Sequence, residues 1–295
     1  MENFEGRIMS EGANKEIFAC VDDSKYSKDV CDYGIDISKA TKSPLKILNV
    51  IEYSKINKLK NKAISTQDEF LKHLSNDDDK QIVFNAINKS NKLLQEYEQN
   101  AIDAGLKKVS IVQKYGTFYD SVVELKEQIR LLIIGYVQKQ NDENIIILGK
   151  QVEQIIRDSE LPVLLINQKF KPVKRIMMAY DGSPSSIKAL QGIMQSPLLR
   201  SDVIRYIVNV NNDIEKSKQI IDKASEILDK SNLNFELVSL KGDDHVNELI
   251  KFQYENDIDM VVMGAFGRGK IRRAIFGSFT SKMLQNNPKP LLLIK

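Results

Sequence analysis

The stretch IMMAYDGS, Ile176 to Ser183, is an apolar run that stops on an aspartate and turns through Gly182. It has a twin in IFACVDDS, Ile17 to Ser24, where Asp22 answers Asp181 and Ser24 answers Ser183. Working outward, LKILNVIE carries Asn49-Val50 near its end, and VIRYIVNVN carries Asn209-Val210. LLIIGY reaches Gly135 and DMVVMGAFG reaches Gly264, while LPVLLIN answers KPLLLIK with Pro162 opposite Pro290. Landmarks that recur in one order mark a duplication, and a repeat of this size decides the fold before any single element does.

Between the landmarks the apolar period is helical. KDVCDYGIDISKAT and SSIKALQGIMQS follow the first strand of each copy. EKSKQIIDKASEILDKSN sets Ile220, Ile221, Ala224, Ile227 and Leu228 on one stripe, and DDHVNELIKFQYEND is a second amphipathic helix. Short strands alternating with helices predict βαβ units and a parallel sheet, and strands apolar on both faces predict helices on both sides of it. The expectation is α/β: two tandem doubly wound, Rossmann-like domains of about five strands each, over 1–168 and 172–295. One asymmetry stands out. The segment from about Tyr53 to Gln81 lengthens the first copy with polar, lysine-rich sequence, and it reads as a surface helical excursion.

Composition excludes several classes. The chain has 295 residues, 42% apolar and 28% charged, which suits two ordinary globular cores. A net charge of +3 gives no basic face for a nucleic acid. No apolar run is long enough to span a bilayer, and MENFEGRIMSEGANKEIF has neither the basic end nor the apolar centre of a signal peptide. Cys20 and Cys31 read as buried thiols, so a cytoplasmic protein is expected. His245 falls at a predicted helix start, where it is expected to be exposed.

The candidate chemistry lies in GAFGRGKIRRAIFGSFTS, Gly264 to Ser281. Gly264-x2-Gly267-x9-Gly277-Ser278 follows the fourth strand of the second copy and runs into a predicted helix. Glycine lets the backbone approach a ligand closely and turn its N–H groups toward phosphate oxygens. The N-terminus of the next helix adds free donors and partial positive charge. Ser278 and Thr280 offer hydroxyls, while Arg268, Lys270, Arg272 and Arg273 add positive potential. In a doubly wound sheet the ends of strands one, two and four meet at the switch point, so Asp181, Val210 and Gly264 converge there. A carboxylate at Asp181 suits a ribose hydroxyl or an adenine amine rather than phosphate. The spacing is neither the P-loop nor the dinucleotide fingerprint.

At these residues the chain resembles the universal stress protein family, over nearly its whole length and as two tandem copies. The resemblance implies a five-stranded parallel sheet of order 3-2-1-4-5 in each copy. It implies ATP, with Mg²⁺, in the second copy. Asp181 would contact the nucleoside, Val210 would meet adenine through its backbone, and Met263 would pack near the base. Gly264, Gly267 and Arg268 would surround the ribose and phosphates, and Gly277, Ser278 and Thr280 would hold the phosphates. The first copy departs from the pattern. Gly135 is kept, but Gln138 stands for the second glycine, and Gly149 comes late and precedes Lys150. A nucleotide-free first copy is therefore expected.

Neither a metal-binding cysteine–histidine spacing nor a general base beside the loop is apparent, so hydrolysis of ATP is expected to be slow at most. The leading reading is a nucleotide-responsive stress or signalling module that acts on a protein partner. The alternatives are a nucleotide-free pairing scaffold and an ATP-dependent enzyme of the adenine nucleotide α-hydrolase-like group. YDGSPSS lacks the Ser-Gly-Gly-x-Asp-Ser loop such enzymes carry after strand one, which disfavours the last. The apolar final strands, PVLLIN and PLLLIK, are edges that need cover. The resemblance implies antiparallel pairing between them, as an intramolecular pseudo-dimer or, alternatively, across a homodimer.

Overall fold

The computed structural model describes residues 15–52, 66–72, 74, 76–136, 149–194, 203–229, 235–265 and 278–295. These fall into two compact units, one of 15–135 with 149–159, the other of 136 with 160–295.

The first unit runs β1 (Glu16–Cys20), α1 (Ser27–Thr41), β2 (Leu45–Ile51), α2 (Gln67–Lys72) and α3 (Asp77–Asp103), then β3 (Val109–Tyr115), α4 (Phe118–Leu125), β4 (Ile129–Gly135) and α5 (Lys150–Asp158). Its strands lie in the order β3-β2-β1-β4, all parallel. The interior of β1 and β4 is buried, as two helical layers require. Helix α1 ends at Lys42, whose φ of 56° closes the helix in the left-handed region. Helix α3 starts where Asn76 accepts from the Asp79 N–H, and Asp77, Asp78 and Asp79 place negative charge on its positive end.

The long connection after β2 is more than a surface excursion. Part of it, 53–65 with 73 and 75, lies outside the described residues. In the remainder, Phe70 and Leu74 pack with Val83 and Ile87 of α3 on Ile51 and Tyr115, the last residues of β2 and β3. The Phe70 and Tyr115 rings lie 5.3 Å apart. A second small core thus sits on two strand ends, built from apolar residues dispersed among lysines and acids.

The second unit contains β5 (Val163–Ile166), β6 (Arg175–Ala179), α6 (Pro184–Met194), β7 (Ile204–Asn211), α7 (Ile214–Leu228), β8 (Glu236–Lys241), α8 (His245–Glu255), β9 (Met260–Gly264), α9 (Ser278–Asn286) and β10 (Leu291–Ile294). The order is β5-β10-β9-β6-β7-β8. Strands β6 to β10 are parallel and follow the third-second-first-fourth-fifth order. Strand β5 runs antiparallel to β10, with Leu165 opposite Leu291 and Leu164 opposite Leu292. All residues of both strands are buried. The compact units therefore do not coincide with the sequence copies, because the last strand of the first copy packs in the second unit.

Asp259, 3% exposed, fixes the entry to β6. Its Oδ2 accepts from the N–H groups of Lys174 and Arg175 at 2.9 and 3.0 Å, and Lys171 Nζ lies 2.7 Å from Oδ1. Cys20 and Cys31 are free thiols whose pKa values are pushed up by burial and by nearby carboxylates. No described helix is long and apolar enough to cross a membrane.

Candidate functional site

The site is built where β6, β7 and β9 end. Pairing of β6 with β7 stops at Ala179 and Val208. Beyond it, the Tyr180 N–H still donates to the Val208 carbonyl at 2.9 Å. The Tyr180 carbonyl accepts instead from the side chain, Nδ2 of Asn209, at 2.7 Å. The side chain of Asn209 thus stands in for a ladder bond at the point where the strands part. Val210 pairs with Leu240 of β8 on its other side and has no registered partner in β6.

Asp181 follows at the surface. Its Oδ1 accepts from the Ser183 N–H at 2.9 Å, closing a tight turn through Gly182, whose φ is +73°. Loss of water around the carboxyl works to raise its pKa, but hydrogen bonds from Ser183, with Ser186 contributing, hold it below the ordinary carboxylate value. It is therefore charged at neutral pH. Ser183 also caps α6: its Oγ accepts from the Ser186 N–H at 3.3 Å and contacts Ser185 Oγ at 3.0 Å.

Gly264 has a packing reason for being glycine, beside the one expected from phosphate approach. A Cβ there would lie 2.6 Å from the carbonyl carbon of Ser185 and 2.8 Å from the Ser186 nitrogen. The first turn of α6 rests directly on the end of β9, so the position is closed to any side chain with or without a ligand. Met263 is 2% exposed and lies between Ala179 of β6 and Leu293 of β10, in the sheet interior. Ser278 is exposed at the start of α9, and Thr280, two positions on, is 7% exposed with its side chain turned inward. Gly267, Arg268 and Gly277 lie outside the described residues, as does Gln138 of the first copy. Between the first turns of α8 and α9 is an open depression of about 330 Å³, lined by His245, Val246, Ser278, Phe279 and Lys282 among others.

The first unit repeats the framework. Asn49 Nδ2 donates to the Val21 carbonyl at 2.7 Å. Asp22 Oδ1 accepts from the Ser24 N–H at 2.8 Å and from Ser27 Oγ at 2.9 Å. The asparagine pin and the aspartate turn are thus properties of both copies. Sequence reading used Asn49 and Asn209 only as landmarks. Their recurrence immediately before Val50 and Val210 was the available signal. One difference is local: Asn49 Oδ1 accepts from Ser90 Oγ at 2.6 Å, and Ser90 accepts from Gln113, whereas Asn209 Oδ1 has no partner among the described residues.

The chain has a sequence relative of similar length and solved structures of the same fold. The chain is 27% identical over 291 residues to Universal stress protein Slr1230 of Synechocystis sp. (strain ATCC 27184 / PCC 6803 / Kazusa), an alignment covering 95% of this chain and 100% of that protein. The crystal structure of a universal stress protein from Archaeoglobus fulgidus DSM 4304 has the same fold, with a TM-score of 0.74 at 18% identity over 96% of this chain and 99% of that one. A functionally unknown protein from Pseudomonas aeruginosa PAO1 also shares it, with a TM-score of 0.61 at 15% identity, covering 96% and 93% of the two chains. The sequence profile of the Universal stress protein family matches twice, over 13–167 and 172–295, in step with the two asparagine pins and the two aspartate turns. By both its sequence and its doubled framework, the chain belongs to the universal stress protein family.

Proposed function

We propose that this universal stress protein binds ATP with Mg²⁺ in its second copy alone and acts as a nucleotide-responsive module on a protein partner. The observation that carries the reading is that the charged Asp181 carboxylate and Val210, which has no registered partner in β6 among the described residues, both stand at the carboxyl end of the sheet. The sequence then continues from Gly264 into the Gly267 and Gly277-Ser278 set. Asp181 has one carboxylate oxygen engaged by Ser183, and the other suits a ribose hydroxyl or the adenine amine. Val210 would read the base edge through its backbone. The exposed Ser278 hydroxyl and the N–H groups at the start of α9 suit phosphate oxygens. Bound Mg²⁺ would offset phosphate charge. The residues of this edge suit binding and orienting a nucleotide, and the proposed role is binding rather than turnover.

A second reading, a nucleotide-free pairing scaffold, draws support from Gly264. Its packing against Ser185 explains that glycine with no ligand at all. Denaturing the purified protein and assaying released nucleotide separates the two. Recovery of about one adenine nucleotide per chain, lost in Gly267→Val, is the expected result. Nucleotide-free protein with no measurable ATP affinity would leave the scaffold.

A further inference from the structure

We infer that Glu52 is a built-in anion that latches the carboxyl edge of the first copy shut, so that this copy holds its helices in place with no ligand. Glu52 follows the last residue of β2. Its Oε1 accepts from the Phe118 N–H at 2.8 Å and from Gln151 Nε2 at 2.8 Å, and its Oε2 lies 3.1 Å from the same Nε2. Gln151, in the first turn of α5, turns its own Oε1 to the Tyr119 N–H at 2.9 Å. Thr117 Oγ1 accepts from the Asp120 N–H at 3.1 Å. The N–H groups of Phe118, Tyr119 and Asp120 therefore each have a side-chain acceptor, two of them from segments remote in sequence and one from the N-cap Thr117.

Free N–H groups at a helix start, with the partial charge of the helix dipole, are what draws an anion to such a place. Here the carboxylate is covalently part of the chain and arrives from the adjacent strand end. Charge-assisted bonds of this kind are stronger than neutral ones. The exposed flank of Glu52 weakens the latch by screening, but its two-donor geometry fixes direction. The result is mechanical: the end of β2 and the starts of α4 and α5 are tied into one piece.

The second copy lacks the parts. Counting from Asn49 and Asn209, the position of Glu52 is Asn212, and counting from Lys150 and Ser278, the position of Gln151 is Phe279, which can neither donate nor accept through its side chain. Helix α8 caps itself locally through Asp244 and the Asn247 N–H. Between α8 and α9 lies the open depression rather than a bridge. Where the first copy is latched internally, the described residues of the second show a depression between the equivalent helix starts. The contrast gives a physical reason, in addition to Gln138 and Lys150, for assigning ligand binding to the second copy, and to that extent it rests on the proposed function. The latch itself does not.

Amide hydrogen exchange on the full chain, in nucleotide-free buffer, tests the latch without reference to ATP. In the wild type, Phe118, Tyr119 and the first turn of α5 should be protected. Glu52→Ala should raise exchange at Phe118 and Tyr119 by roughly tenfold or more, with the interior amides of β1 and β4 unchanged. Concentrated acetate should then slow exchange at Phe118 in the variant and leave the wild type unaffected. Gln151→Leu should release Tyr119 more than Phe118. Should Glu52→Ala fail to fold, Glu52→Gln serves instead: it keeps the shape, loses the charge and should show an intermediate rise. Wild-type exchange rates in either folded Glu52 variant, or an acetate effect equal in wild type and variant, would overturn the latch.

Discussion

Nδ2 of Asn209 lies 2.7 Å from the carbonyl oxygen of Tyr180, and this side-chain bond replaces a backbone one where β6 and β7 part. Asn49 and Val21 repeat it at 2.7 Å in the first unit. The two pins differ in support, since Asn49 also accepts from Ser90 within a chain that continues to Gln113 and Tyr115. Asn49→Ala should therefore cost more than Asn209→Ala, about 2–3 kcal/mol against about 1–2, because it strands a buried hydroxyl as well as a carbonyl. Urea unfolding of the two variants measures the order, and equal losses would show that the Ser90 network adds nothing.

Gly264 and Gly135 hold the same place in the two copies, with different clearances. A Cβ on Gly264 meets the Ser185 backbone at 2.6 Å, while one on Gly135 meets Tyr26 Cβ at 3.0 Å. Neither neighbour can rotate away, since a Cβ is fixed by its own backbone, so the tighter clearance at Gly264 sets the order. Gly264→Ala should destabilise by about 2–4 kcal/mol and Gly135→Ala by about 1 kcal/mol or less. Thermal melts decide, and they should do so in nucleotide-free protein, where loss of a ligand cannot account for the difference.

Asp259 predicts a pH dependence. Burial works to raise its pKa, but Lys171 and the N–H groups of Lys174 and Arg175 hold it below the ordinary carboxylate value. A carboxyl lowered in the folded state stabilises above its unfolded pKa of about 3.9, and that contribution fades as pH falls through the lower folded value. Lys171 is largely exposed, so the backbone donors contribute more than the ion pair. Asp259→Asn should lose about 1–3 kcal/mol near neutrality, with the gap to wild type closing below about pH 4. A gap independent of pH would remove the carboxylate from the argument.

The seam between β5 and β10 gives a prediction on assembly. Leu165 faces Leu291, and Leu292 faces Leu164. Changing Leu165 and Leu292 to aspartate places buried charge in the seam of a single chain, so unfolding should occur earlier at every protein concentration. Were the same strands exchanged between two chains in solution, the variant would instead give folded monomers by light scattering.

Turnover should be slow. With Mg²⁺ and ATP, product should form well below the ordinary enzymatic range of roughly 1–10³ s⁻¹. Steady turnover within that range, in protein free of contaminating ATPase, would make the chain an enzyme.

The repeat and the parallel α/β class were legible because strands buried on both faces leave unbroken apolar runs, and because Asp22 and Asp181 punctuate them alike, whereas the strand order came only from the family resemblance. Two things were hidden for physical reasons. The latch joins Glu52, Phe118 and Gln151, positions that no local periodicity relates. Phe70, Leu74, Val83 and Ile87 form a core only after α2 folds back on α3, so their segment reads as polar surface. The places of Asp181 and Val210 at the ends of β6 and β7 were legible because strand ends are read directly from where apolar runs stop. Gly264 was singled out for close approach to a phosphate, and the close approach of α6 that the structure shows demands the same residue.

Strand β5 belongs to one copy by descent and to the other unit by packing, with Val163 to Leu165 registered against β10. A protease cut between Ile166 and Arg175 would therefore sever the peptide without freeing the strand. The two fragments should remain together through a native pull-down and separate only in denaturant, and separately expressed pieces ending and beginning there should complement one another. The gene for each copy, taken alone, encodes an edge whose natural cover is encoded by the other.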